Sequence, residues 1–189
     1  MHRSFLLPFT CLTILFSAGC AGESHVLRLG QVSPGLTRLE GSPYDALVTE
    51  PVHYTVIGMP EYDRFFEESA AAYGSVLLAM KTVDRAQDLI DGKSRPTPLD
   101  FMLWFTLLRD TLPRTLQRAA YLENEGRRLR EKAPSDFTWH FYKLWQVRSA
   151  VKQAQANLEA TQRLAPVLMQ RLHGLMNSAE QKTPFIQGF

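Results

Sequence analysis

Residues 136–176 read DFTWHFYKLWQVRSAVKQAQANLEATQRLAPVLMQRLHGLM, and their spacing decides the fold. Phe137, Leu144, Val151, Leu158, Ala165 and Leu172 recur every seven residues. His140, Val147, Ala154, Thr161, Leu168 and Leu175 follow three residues behind each. Apolar positions at alternating steps of three and four make one stripe on a helix, the pattern of a packed seam. At 1.5 Å per residue a helix of this length extends about 60 Å. Pro166 should bend it, and Gly174 or Asn177 suits its end.

The same pattern runs upstream. In residues 61–90 one seam is Phe66, Tyr73, Met80, Gln87 and another is Tyr62, Ser69, Val76, Val83, Ile90. Gly92 to Pro96 breaks it. Thr97 is a natural N-cap, Pro98 suits the first helical position, and Asp100 stands where a capping box places its carboxylate. The next stripe is Phe101, Leu108, Thr115, Leu122, Leu129, with Phe105, Leu112, Ala119, Gly126, Ala133 alongside. Its register runs through Pro113, which predicts one helix to about Lys132 with a kink or brief break at that proline. Pro134, Ser135 and Asp136 form the second turn, with Ser135 or Asp136 as the next cap.

The expected fold class is therefore all-α, an elongated up-down-up bundle of three long helices, the second and third kinked by proline. Side-chain size supports that pairing. Tyr62, Phe65 and Phe66, with Phe137, Trp139, Phe141, Tyr142 and Trp145, would face Ala119, Gly126 and Ala133. The bundle occupies residues 60–177, and residues 178–189 form a C-terminal tail. Residues 20–59 are rich in Gly and Pro and read as an extended tether lying against the bundle, with short strand candidates at residues 25–29 and 52–57.

The first nineteen residues have the parts of a secretory signal: basic His2 and Arg3, an apolar stretch over residues 5–16, then small residues ending at Cys20. Ala18-Gly19-Cys20 resembles the lipobox of bacterial lipoproteins. That resemblance implies cleavage before Cys20, acylation of its sulfur and amine, and, with Ala21 rather than Asp following, an outer-membrane address facing the periplasm. Ser17 stands where the motif usually has Leu, and cleavage after Ala21 with simple secretion is the alternative. Cys11 would leave with the signal, so no disulfide is available and stability must come from burial.

The 189-residue chain carries 21 Lys+Arg against 19 Asp+Glu, a balance that argues against general nucleic-acid binding. The charges are unevenly placed. Residues 20–100 hold 7 basic and 12 acidic side chains, and residues 101–189 hold 13 and 7. Either the two halves pack with complementary surfaces, or Arg127, Arg128, Arg130 and Lys132 form a face for an anionic partner.

Motifs for chemistry are weak. His140 sits at a seam position and reads as a core histidine, without a nucleophile beside it. Glu50 and His53 have the spacing of di-iron ligands, but Pro51 argues for a loop and no second copy exists. Asp84, Asp88 and Asp91 share a helix face that reads as solvated or Arg-paired. No metal or cofactor is expected. One stretch exceeds the need of a bundle: residues 99–108, LDFMLWFTLL, are apolar nearly all round. They are too few to cross a membrane. Either the tether and another helix cover their outer side, or Phe101, Met102, Leu103, Trp104 and Phe105 form a patch for a partner or lipid, anchored by Met102, Leu103 and Trp104.

These features favour a non-enzymatic envelope lipoprotein, tethered to the membrane through Cys20 and serving as an adaptor for another envelope protein, with self-association open. The alternative is a module that binds a lipid or apolar ligand between its helices. A hydrolase of envelope polymers is the third reading, and no convergent acidic or nucleophilic cluster supports it.

Overall fold

A computed structural model of the chain describes residues 52–92, 95–138 and 141–182. The signal segment, Cys20, the strand candidate at residues 25–29, Trp139, His140 and residues 183–189 lie outside them. The described residues are all-α: 88% are helical and none is in a strand.

Helix α1 is Pro60–Ile90. It begins with proline, whose missing N–H costs nothing at a first helical position. It stops at Gly92, whose φ of +85° places it in the left-handed region, where its N–H donates back to the Leu89 carbonyl. Helix α2, Pro98–Thr106, opens with the expected capping box. It runs into a π turn at Leu107–Thr111 and then α3, Leu112–Asp136, so the three make one continuous helical run. Helix α4 is Phe141–Lys182.

The buried stripe of α1 is Tyr62, Ser69, Val76 and Val83 with Phe65, Ala72, Ala79 and Ala86. The second seam of the sequence reading holds; of the first, Phe66 is buried and Tyr73 half-buried, while Met80 and Gln87 turn outward. The alanines that replace it are small and weakly hydrophobic, so the larger Tyr73 and Met80 outweigh them in any pattern count. Buried Ser69, Ser75 and Thr82 lie inside this helix without orphaned hydroxyls. Each donates to the carbonyl four residues earlier.

At Pro113 the interruption of the α-helix takes the form of a π turn. The turn before it widens, and the Leu112 N–H donates to the Leu107 carbonyl five residues back. Proline cannot donate to the α ladder and its ring crowds the carbonyl four residues earlier, so a wider turn is the local relief. The extra residue shifts the upstream seam by one position. Downstream the expected Leu112, Thr115, Ala119, Leu122, Gly126, Leu129 and Ala133 are all buried. Upstream the buried residues are Asp100, Leu103, Trp104, Leu107 and Thr111, not Phe101, Phe105 and Leu108.

Other expectations are corrected. Pro134, Ser135 and Asp136 are the last residues of α3, not a turn with a cap. Ser135 Oγ donates to the Lys132 carbonyl and Asp136 receives the Tyr62 hydroxyl. Neither Gly174 nor Asn177 ends α4, which gains a further turn that buries Ala179. Trp145 is exposed rather than packed. Residues 52–57 form no strand. They instead lie on the helices, with Val52 buried against Ala70, and the Ile57 N–H donates to Asp63 Oδ1 at 2.7 Å.

The helices pack in antiparallel order where they meet. Tyr62 of α1 reaches the Leu129 carbonyl of α3, Phe65 abuts Gly126, and Glu68 pairs with Arg118. Along α4, Gln155 lies beside Gly126 and Gln162 donates to Glu123. A side chain at Gly126 would place its Cβ 2.7 Å from Phe65 Cζ, so the absence of one lets a phenylalanine fill the space between helices. Large does face small here. The α4 stripe from Val147 through Val151, Ala154, Leu158, Thr161, Ala165, Leu168 and Leu172 is buried throughout, as its spacing predicts.

Candidate functional site

The apolar stretch divides into an inner and an outer face. Asp100 sets the division. Its carboxylate is fully buried and receives the Thr97 N–H at 2.8 Å, the Thr97 hydroxyl at 2.7 Å and Arg85 Nε of α1 at 2.9 Å. A buried carboxylate is tolerated only when its oxygens are partnered in this way. The sequence reading identified the cap but not Arg85. The signal that marks it is a lone aspartate within an otherwise apolar run.

With Asp100 inward, Leu103 and Trp104 lie wholly in the core and are not surface anchors. The Trp104 ring meets Phe101 edge-on, with centroids 5.0 Å apart. Among the described residues its Nε1 has no hydrogen-bond partner. The outer face carries Leu99, Met102 and Phe105, which remain 42%, 38% and 49% exposed. They are spaced by three residues and so form one row. The Arg109 guanidinium lies over the Phe105 ring at 5.0 Å and extends that row with a cation.

The basic cluster is largely consumed by the fold. Arg128 pairs with Glu61 of α1 and with Glu125, and Lys132 Nζ lies 2.8 Å from Glu61 and 3.5 Å from Asp136. Arg127 lies 3.9 Å from Glu123. Arg130 is exposed and makes no ion pair among the described residues. Hydrogen bonds from Lys132 and Arg128 hold the Glu61 carboxyl below its ordinary range, and Arg128 does the same for Glu125. Burial first, then the Asp136 carboxylate, pushes the Tyr62 hydroxyl upward. The uneven charge of the two halves thus appears as cross-helix pairs between an acidic α1 and a basic α3.

Beside these pairs lies an open cleft of about 390 Å3 between α1 and α3. Phe65 and Leu122 supply its apolar floor. Glu61, Arg64 and Glu68 line it from α1, and Arg118, Tyr121 and Glu125 from α3. Glu68 joins the two sides, accepting from Arg64 Nε at 2.8 Å and pairing with Arg118. The Arg118 guanidinium stacks on Tyr121 at 4.9 Å, and Tyr121 is 58% exposed. Sequence spacing missed this cleft because its residues flank the seam and read as an ordinary solvated face.

Among the described residues no group of His, Cys, Asp or Glu is placed to hold a metal, and no helix is long and apolar enough to cross a membrane. Asp91 accepts from Gln87 Nε2 at 3.0 Å, and Asp84 and Asp88 are exposed. His53 and His173 are exposed as well. Comparison with known protein families, with curated proteins and with solved structures finds no match to this chain.

Proposed function

We propose that the protein is a non-enzymatic lipoprotein of the cell envelope, held through acylated Cys20 at the periplasmic face of the outer membrane, and that it acts as an adaptor for another envelope protein. In this reading the three helical runs form an elongated up-down-up bundle and residues 20–59 are its tether. The observation that carries the reading is the row Leu99, Met102 and Phe105. These side chains stand exposed on a helix whose rotation is fixed by the buried Asp100, its cap and Arg85. A row held rigidly before binding loses little entropy on contact.

The inward faces favour an adaptor over a carrier of apolar ligands. Tyr62, Phe65, Leu78, Leu103, Trp104, Leu107, Leu112, Leu122 and Leu129 fill the interior, and the cleft beside them is walled by charge. An apolar carrier needs an apolar cavity.

The test is a mild pull-down of the full chain from its native envelope, with bound proteins and lipids identified by mass spectrometry. A Met102→Glu, Phe105→Glu variant is run beside it. These positions are exposed, so the variant keeps its helical circular dichroism. A stoichiometric protein lost in the variant is the expected result. A bound lipid with no protein, or a partner retained by the variant, overturns the adaptor reading. Metabolic labelling with palmitate checks the anchor: the chain takes up label and Cys20→Ser abolishes it.

A further inference from the structure

The α1–α3 cleft has a composition that neither the core nor the adaptor row requires. We propose that it is a binding site for a neutral saccharide, a short chain of sugar rings held edge-on between Tyr121 and the paired carboxylates.

An apolar ligand would strip water from Glu61, Glu68, Glu125, Arg64 and Arg118 without returning hydrogen bonds, which is costly for every one of them. An anion would have to displace carboxylates already bonded to Arg64, Arg118 and Arg128. A cation would compete with those same guanidinium groups. A neutral polyol avoids both penalties. Its hydroxyls donate to the carboxylate lone pairs that the arginines leave open and accept from the remaining guanidinium N–H groups, so the ion pairs stay intact.

The shape agrees with this. The ion pairs of Glu68 with Arg64 and Arg118 bring donors and acceptors together along the cleft before a ligand arrives. Tyr121, with the Arg118 guanidinium over its ring, stands exposed at the rim. A volume of about 390 Å3 lies near the lower end of small-ligand sites, about 300–1,000 Å3, and accommodates a short saccharide. The cleft is independent of the Leu99, Met102, Phe105 row, so failure of either proposal leaves the other standing.

The test is isothermal titration calorimetry on the full chain in a detergent without sugar headgroups. The probes are cellobiose, maltotriose and N,N′-diacetylchitobiose, with citrate and decanoate as anionic and apolar controls. At least one saccharide should bind. Tyr121→Ala should weaken it about tenfold, the worth of an aromatic face contact, and Glu125→Gln should weaken it without altering the helical spectrum. Tyr121 is exposed, so its loss does not endanger the fold. No heat from any of the three saccharides overturns the proposal. So does a Kd unchanged in Tyr121→Ala, or tighter binding of citrate or decanoate.

Discussion

Two buried residues show how closely the interior is fitted. Gly126 is the point at which Phe65 enters between helices, and an added methyl would meet that ring at 2.7 Å. Replacing a mid-helix glycine by alanine gains about 1 kcal/mol of helix propensity, while forcing a methyl into a filled core costs about 1–3 kcal/mol. Gly126→Ala is therefore expected to lose about 1 kcal/mol in urea denaturation, and Phe65→Leu in the same chain should recover it by opening the space. Trp104 gives the opposite contrast. Its ring is wholly buried, yet its N–H has no partner among the described residues. Trp104→Phe removes that donor and keeps most of the packing, so it should change stability by less than about 1 kcal/mol. Trp104→Ala leaves a cavity and should cost about 3–5 kcal/mol. Equal losses for the two variants would mean that the indole N–H is bonded.

At the scale of elements, the π turn explains both a success and a failure of sequence reading. The heptad of α4 was legible from Val147 to Leu172 because the helix keeps one register there and Val147, Val151, Leu158, Leu168 and Leu172 mark it. The stripe of α3 was equally legible from Leu112 onward. Upstream of the turn the same count points one residue too far, to Phe101, Phe105 and Leu108, because spacing rules assume a constant 3.6 residues per turn. The run over residues 99–108 conceals the slip, since both the assumed and the actual inward faces are apolar. Leu103 and Trp104 were misassigned as anchors for that reason, while Met102 is exposed as expected and forms a row with Leu99 and Phe105. The helix-flanking cleft was illegible because it depends on which charges meet across helices, not on their order along one. The π turn also makes a prediction. Leu107 and Thr115 are both buried at a spacing of eight, one more than the seven-residue step of the seam, and the π turn between them holds the extra residue. Deleting exposed Arg109 together with Pro113→Ala should give an unbroken α-helix with the same core. The intrinsic emission of Trp104, read with Trp139→Phe and Trp145→Phe, should stay blue-shifted and the melting temperature near that of the parent. Deleting Arg127, where the helix is already regular, should throw one end of α3 out of register and unfold the chain at a much lower temperature.

For the whole molecule, the pairs that join α1 to α3 make stability depend on pH in a defined direction. Glu61 and Glu125 have carboxyls held below the ordinary value of 4.5. A lowered folded-state value contributes stability that is present above the unfolded value and is lost as pH falls through the folded one. The urea midpoint should thus decline on acidification below about pH 4.5, and Glu61→Gln should flatten that decline because the contribution is already absent. An acid limb of unchanged slope in the variant would show that Glu61 is not the group responsible. Salt should weaken the same contribution, since these pairs are solvent-exposed and the screening length at 0.1 M is about 10 Å. The buried bridge between Arg85 and Asp100 behaves differently, being sheltered on the Asp100 side, and its position has a consequence for how the chain reaches this shape. It ties two residues only fifteen apart, on either side of the Gly92 bend. So short a loop closes within about 100 ns, whereas docking of the 42-residue α4 must wait for the rest of the chain. A hairpin of α1 against α2 is therefore available to a nascent chain whose final helix has yet to emerge. Asp100→Asn should slow refolding as well as lower stability, leaving the chain longest in the state where its inner apolar faces are open to whatever protein it meets first.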